Sequence, residues 1–262
     1  MPSKPLVSII TINRNNAVGL HRTLESAATQ TFRSFEHLVI DGASNDGSQS
    51  TAKKFEEQLA FFRSEPDTGI YNAMNKGIAK ARGDYLLFLN SGDTLKGRFA
   101  LETAAKQLGK EQLVYFDLDL IDSAGRRRQS FPERLDFAFF VRQSLPHPST
   151  FIDPDLFRQS GPYDESLKIV SDWKAFMVWV CRYNCTYKYV PEVLTEFPFD
   201  GLSSRPESAP IWQAERERVI RCEFPAIYDT YLEGCAALQT LKNLRNNTVL
   251  RWLQKARLLR SF

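Results

Sequence analysis

The chain has 262 residues, 43% of them hydrophobic and 25% charged, with a net charge of +3. These values suit a globular chain of one large α/β domain or two small ones, with room for a sizeable core. No apolar run approaches the ~20 residues that a membrane-spanning helix needs, which excludes a helical membrane protein.

The charge is uneven. Gly234 to Phe262 contains six basic residues and no acid, so the tail carries +6 and leaves −3 on the rest. A basic end on a slightly acidic body calls for a reason. The opening MPSKPLVSIITINRNN has too short an apolar run for a signal peptide, and no small-residue cleavage site follows it. Cys181, Cys185, Cys222 and Cys235 lack zinc-ligand spacing and fit idle thiols in a reducing cytosol.

Strand and helix signals alternate over the first hundred residues. Leu6 to Ile12 is apolar and β-branched, hence a strand. Val18 to Gln30 places Leu20, Leu24, Ala27 and Ala28 at helical spacing. His37 to Ile40 is a second strand, stopped by the turn cluster Asp41 to Ser48. A helix follows with Ala52, Phe55 and Leu59 on one face, then a strand from Phe61 to Ser64. Ile70 to Ala81 is helical and closed by Gly83, and Tyr85 to Leu89 is a fourth strand. Repeated βαβ units imply a parallel sheet with helices on both faces.

The rhythm changes after Asp93. The pattern predicts a helix near Phe99 to Leu108, a strand from Leu113 to Leu118, and a solvated hairpin at Arg126 to Arg128 that is too short for a nucleic-acid patch. A helix from Ser171 to about Cys181 and a strand from Tyr187 to Val190 come next, and the chain is helical and rich in Leu and Arg from about Glu207.

Asp41, Asp67 and Asp93 follow strands. Strand C-termini of a parallel sheet share one edge, so the three carboxylates are expected to converge on one crevice. Each alone is equally a turn former. Neither G-x-x-x-x-G-K-[ST] nor G-x-G-x-x-G is present. A nucleotide bound among carboxylates therefore needs a cation for its phosphates.

Several ordered motifs carry a family resemblance over about Pro5 to Phe199. Thr11-Ile12-Asn13-Arg14-Asn15, followed by Leu20, Ser26 and Gln30, resembles the opening of family 2 glycosyltransferases of the GT-A fold. VIDGASNDGS resembles their V-D-D-G-S-x-D-G-[ST] turn, and SEPDTGIYNAMNKGIAKARGDYLLFLNSGD resembles the block that ends in their D-x-D motif. HPSTFI, GPYDES and SDW are similar to the acceptor-side half. The resemblance implies an α/β GT-A fold: a Rossmann-like, mostly parallel sheet with helices on both faces and a C-terminal helical extension. It implies a catalytic domain over 1–205, with a nucleotide-binding half at 1–95 and an acceptor-binding half at 96–205. The extension at 206–262 is basic and amphipathic.

The implied activity is inverting transfer of a sugar from a nucleoside-diphosphate donor, a UDP-sugar being favoured, to a hydroxyl of a glycan or polyprenyl-linked acceptor. Thr11, Asn13, Arg14, Asp41, Asp67, Asn75 and Lys76 would bind the nucleotide. Asn90 and His147 would serve donor and acceptor, Asp93 would hold Mn²⁺ or Mg²⁺, and Asp172 would be the general base. Local alternatives stand beside these roles. Asn13 or Asp172 could cap a helix, Lys76 could be solvated, and His147 could be a structural loop histidine.

Two departures stand out. Gly42 replaces the second acid of D-D-G-S, and Asn90 stands where the D-x-D motif often has its first aspartate. They keep open a catalytically dead nucleotide-sugar binder. A sugar nucleotidyltransferase is the other rival, but Thr11 to Asn16 lacks the glycine-rich loop typical of that class. The loop from Phe197 to Pro206 is expected to close over the donor or to serve as a plain linker. In the tail, Val249, Trp252, Leu253, Ala256 and Leu259 recur at helical spacing. That stripe suits an anionic inner-leaflet surface, the catalytic domain or a second subunit. The expected location is the cytoplasm, with peripheral membrane contact through this tail.

Overall fold

The alternation expected for the first hundred residues is present in the computed structural model, which describes residues 4–198 and 206–246. It runs β1 (Val7–Asn13), α1 (Ala17–Ala28), β2 (Phe35–Asp41), α2 (Ser48–Lys53), β3 (Phe61–Ser64), α3 (Ile70–Ile78) and β4 (Tyr85–Phe88). The next elements are β5 (Thr94–Leu95), α4 (Ala100–Ala105), β6 (Leu113–Asp122), β7 (Gly125–Gln129), α5 (Phe137–Arg142), β8 (Thr150–Ile152), α6 (Asp155–Ser160), α7 (Ser171–Cys181) and β9 (Tyr187–Pro198). Two helices follow, α8 (Ala209–Glu223) and α9 (Tyr228–Asn246).

Among the described residues the strands form one sheet in the order β3-β2-β1-β4-β8-β6-β9-β5, with β7 added against β6. β1, β2, β3 and β4 pair in parallel. β8 then runs antiparallel to both β4 and β6, and β6 pairs in parallel with β9. The first four strands therefore end at one edge.

Both faces of this half are covered. On one side Val7, Ile9 and Leu87 join Ala27 of α1 and Leu101 of α4 in the core. On the other, α3 approaches β1 so closely that a Cβ on Gly77 would lie 2.5 Å from Ile10 Cγ2. Ile9 and Ile10 point to opposite faces because successive strand side chains alternate.

Several boundaries depart from the sequence expectation, among them β6, which runs past Leu118 to Asp122, and α4, which stops at Ala105 short of Leu108. α3 ends at Ile78 rather than Ala81. The helix carrying Ala52 stops at Lys53 and gives way to a 3₁₀ turn at Glu56–Gln58. β9 continues past Val190 to Pro198, because the β6–β9 ladder shifts register between Phe116 and Leu118. Such an irregularity leaves a residue outside the ladder, which is where a strand tolerates a proline such as Pro191.

The hairpin at Arg126–Arg128 is β7, and two of its arginines are not simply solvated. Arg128 donates to Asp117 at 2.7 Å, and Arg126 contacts Glu196 at 2.6 Å and Asp119 at 3.8 Å.

The chain divides into two compact units between Glu215 and Arg216. In the second, Tyr228 Oη donates to Glu217 at 2.8 Å while Arg221 lies over the Tyr228 ring. The stripe from Val249 to Leu259 and most of the loop after Phe197 lie outside the described residues. Among the described residues no helix is long and apolar enough to cross a membrane.

Candidate active site

The site grows from the ends of β1 and β2, where Asn13 lies level with Asp41. Asp41 is buried, and both carboxylate oxygens are filled. Oδ1 accepts from Asn13 Nδ2 (2.7 Å) and Ser44 Oγ (2.6 Å), and Oδ2 from Ser44 N (2.9 Å) and Ser64 Oγ (2.6 Å). Burial alone would raise its pKa, but the donors from Ser44, Ser64 and Asn13 outweigh it and hold the carboxyl below its ordinary value. The one acceptor left over in this network is Asn13 Oδ1, which is buried without a partner.

Thr11 is also buried. Its hydroxyl donates to the Leu89 carbonyl (2.7 Å) and so receives a proton from His37 Nε2 (2.8 Å). The helix cap considered for Asn13 belongs instead to Asn16, whose Oδ1 accepts from Gly19 N at the start of α1.

Asp67 stands beside this network. A Cβ on Gly42 would meet Asp67 Oδ2 at 2.3 Å, so the missing second acid of the turn is what gives Asp67 its place. Arg14 Nη1 lies 3.9 Å from Asp67 Oδ1, with most of the arginine exposed. Ala43 adopts φ +56°, a left-handed conformation, at the position where the family pattern carries glycine. Lys76 is engaged with Glu65 (3.0 Å) and the Pro66 carbonyl (3.1 Å). Asn75 holds the Tyr163 backbone from both ends of its amide, at 2.9 Å each, and also reaches Glu165.

The Asn90-Ser91-Gly92-Asp93 turn follows β4. Asp93 Oδ2 accepts the Asn90 N–H at 3.1 Å, and the Asp93 N–H donates to the Asn90 carbonyl at 2.9 Å. α1 frames the turn. Asn16 Nδ2 donates to Ser91 O (3.0 Å), Thr23 Oγ1 receives Gly92 N–H (2.9 Å) and donates to Asp93 O (2.8 Å), and Ser26 Oγ receives Leu95 N–H (3.2 Å). Gln30 continues the frame by accepting from Leu101 N (3.0 Å). Asp41 and Asp67 thus flank Gly42, while Asp93 belongs to the neighbouring turn.

Among the described residues no three of His, Cys, Asp and Glu gather as a metal-binding group. Asn90, whose backbone N–H bonds Asp93 Oδ2, also carries a buried Oδ1 without a hydrogen-bond partner. That donor set is oxygen only, and it fits Mg²⁺ or Mn²⁺, which take one or two protein oxygens and complete the shell from substrate and water.

Asp172 lies in the first turn of α7, where the helix dipole favours an acid. It is not the cap. Val170 holds that position without a side-chain bond, and Ser171 Oγ receives Asp164 N–H. Asp172 Oδ1 accepts from Tyr71 Oη of α3 at 2.8 Å. Behind it, buried His147 places Nε2 2.9 Å from Tyr163 Oη and stacks on Phe88 with centroids 4.6 Å apart. Burial lowers the His147 pKa, and the charge of Asp172 opposes that shift. Tyr71, Tyr163, Thr23, Ser44 and Ser64 did not stand out in the sequence. All of these but Thr23 lie inside stretches that carried the family resemblance, which is the only signal they left.

An open edge of parallel strands, lined by amides and carboxylates and joined to a separate carboxylate-bearing helix, is the layout of GT-A glycosyltransferases. Solved structures bear out that fold. The chain matches S. aureus TarS 1-349 in complex with UDP-GlcNAc at TM-score 0.66 and 17% identity, covering 86% of this chain and 70% of that one. It spans 64% of the TarS chain solved with UDP. Mannosyltransferase PcManGT from Pyrobaculum calidifontis, in complex with GDP-Man and Mn²⁺, matches at TM-score 0.60 and 16% identity over 97% of this chain and 84% of its own.

The family is then given by sequence. Residues 8–158 match the model for glycosyl transferase family 2, and the chain belongs to that family. An uncharacterized glycosyltransferase of Mycobacterium tuberculosis is 35% identical over 81% of this chain and 82% of its own length. The PGL/p-HBAD biosynthesis glycosyltransferase of Mycobacterium bovis is 31% identical over 76% and 80%.

Proposed function

We propose that the protein is an inverting hexosyltransferase that moves a sugar from a UDP-sugar to a hydroxyl of a glycan or polyprenyl-linked acceptor in surface polysaccharide synthesis, with Asp172 as general base. The observation that carries this is Asp172 itself. Among the described residues its Oδ1 takes one hydrogen bond, from Tyr71, and its Oδ2 takes none. Oδ2 accepts the proton of the acceptor hydroxyl as that oxygen attacks the anomeric carbon. The new C–O bond forms opposite the departing nucleoside diphosphate, which inverts the centre.

Asn13, Arg14 and Asp67 receive the nucleoside, while Thr11 and Asp41 hold the strand ends that carry them. Asn75 and Lys76 brace α3 beside the donor, and His147 backs the acceptor side. Asn90 and Asp93 would hold Mn²⁺ or Mg²⁺, which supplies Lewis-acid stabilisation of the leaving diphosphate. UDP-GlcNAc bound to TarS supports the donor class, and the PGL/p-HBAD biosynthesis name of the M. bovis relative supports a role in glycan biosynthesis. Such a role puts the enzyme in the cytoplasm at the inner leaflet, with the tail meeting the membrane or a second copy.

Asp172→Asn is the test. Turnover of a UDP-sugar should fall by about 10²–10⁴-fold, the usual cost of losing a general base, with UDP affinity retained. Wild-type turnover in that variant removes the assignment. A donor panel in which GDP or dTDP is released but UDP is not discards the UDP reading.

A further inference from the structure

We propose that Tyr71 is a positioning residue for the transfer step, resting on Asp172 as the base: its hydroxyl fixes the carboxylate through Oδ1 and reserves Oδ2 for the acceptor.

The hydroxyl is itself fixed. Tyr71 is buried on α3, and the same helix is fastened to the segment before α7. Asn72 Nδ2 donates to Glu165 (2.9 Å), and Asn75 bonds both backbone groups of Tyr163. The Tyr71 and Tyr163 rings lie 5.5 Å apart. Four hydrogen bonds thus join α3 to Tyr163 and Glu165, and the Asp164 N–H between them donates to Ser171 Oγ at the start of α7, which ties the two helices through this segment.

The direction of the O–H follows from its surroundings. A carboxylate oxygen accepts, so the Tyr71 hydroxyl donates its proton to Asp172 Oδ1 at 2.8 Å. Burial first, and then the Asp172 charge, push the Tyr71 pKa well above its ordinary value. The hydroxyl thus stays a donor wherever the enzyme works. An uncapped α7 leaves Asp172 near the helix N-terminus with two options, folding back onto the backbone or reaching outward. The bond from Tyr71 Oη to Asp172 Oδ1 works against the first option.

Proximity arguments set the expected size, since a misplacement of about 1 Å in a catalytic group costs on the order of 100-fold in rate. Tyr71→Phe keeps the ring and deletes the hydroxyl. It should lower kcat by roughly 10–100-fold, leave the Kd for UDP and the donor KM within about twofold, and be silent in an Asp172→Asn background. Loss of kcat in Tyr71→Phe by the same factor with or without Asp172 means a general structural effect and overturns the proposal. Normal kcat in Tyr71→Phe with an impaired Asp172→Asn overturns it and leaves the base in place. Normal kcat in Asp172→Asn removes the base and the proposal together. If Tyr71→Phe folds poorly, 3-fluorotyrosine at position 71 keeps the shape and changes only the hydroxyl. A changed kcat with unchanged UDP affinity then supports the proposal, and an unchanged kcat overturns it.

Discussion

His37 sits under the nucleotide end of the sheet, and its chemistry is decided by burial. Because Thr11 Oγ1 donates to Leu89 O, the imidazole donates from Nε2, and it is burial that disfavours a charge on the ring. Burial lowers its pKa to about 4 from 6.5. The unfolded chain therefore binds a proton that the folded chain refuses. His37 stability is fully present above pH 6.5 and is lost as pH falls towards 4, by about 3 kcal/mol in all. His147 acts in the same direction, whereas Asp41 titrates lower, its pKa being held below 3.8. Urea unfolding at several pH values checks this: His37→Gln should show a shallower decline between pH 6.5 and 4.5 than the wild type. Parallel declines would show that His37 is not the group responsible. None of this was visible in the string His37-Leu38-Val39-Ile40, which announces a strand but not which neighbour its first residue meets.

At the scale of elements, α1 shows what periodicity reveals and what it hides. Leu20, Leu24 and Ala27 were legible as a buried stripe, and they are buried. Thr23 was not, because a hydroxyl beside an apolar stripe looks incidental until its partners are known, and they lie 67 to 70 residues away. Asn16 and Thr23 make α1 the mould in which the Asn90 to Asp93 turn is cast, and Ser26 and Gln30 hold the chain beyond it at Leu95 and Leu101. Strands β5 and β8, of two and three residues, are too short to carry a period, and they exist only because longer strands offer them a ladder. Thr23→Val keeps the volume and strands the Gly92 N–H. A buried donor left unpaired costs about 1–3 kcal/mol, and the turn should also lose affinity for UDP with Mn²⁺. Thr23→Ser, which keeps the hydroxyl, should restore most of both in urea unfolding and nucleotide titration. Equal stability and affinity in Thr23→Val would mean the turn holds its shape unaided.

For the molecule as a whole, the spread of the three strand-end acids matters more than their number. Convergence of Asp41, Asp67 and Asp93 was a fair inference from a parallel sheet, since topology puts strand ends on one edge. Topology does not say which carboxylates are consumed by their own framework. Asp41 is, with four internal donors, whereas Asp93 takes the backbone N–H of Asn90, a residue whose own amide oxygen is unpartnered. Few protein oxygens around a hard cation predict weak binding without phosphate and tight binding with it. Binding to the folded state alone at 100 times Kd adds about 2.7 kcal/mol, worth roughly 5–10 °C in Tm for a catalytic unit of this size. Millimolar Mn²⁺ alone should therefore move Tm by no more than about 1–2 °C, while UDP with Mn²⁺ should reach the larger shift and EDTA should reverse it. Asp93→Ala should abolish the increment that Mn²⁺ adds to UDP but keep the shift from UDP alone, because the nucleoside contacts proposed for Asn13, Arg14 and Asp67 belong to other strand ends. If Mn²⁺ alone gave the full shift, the protein would hold a preformed metal site, and the division between a nucleoside-binding edge and a shared cation would fall.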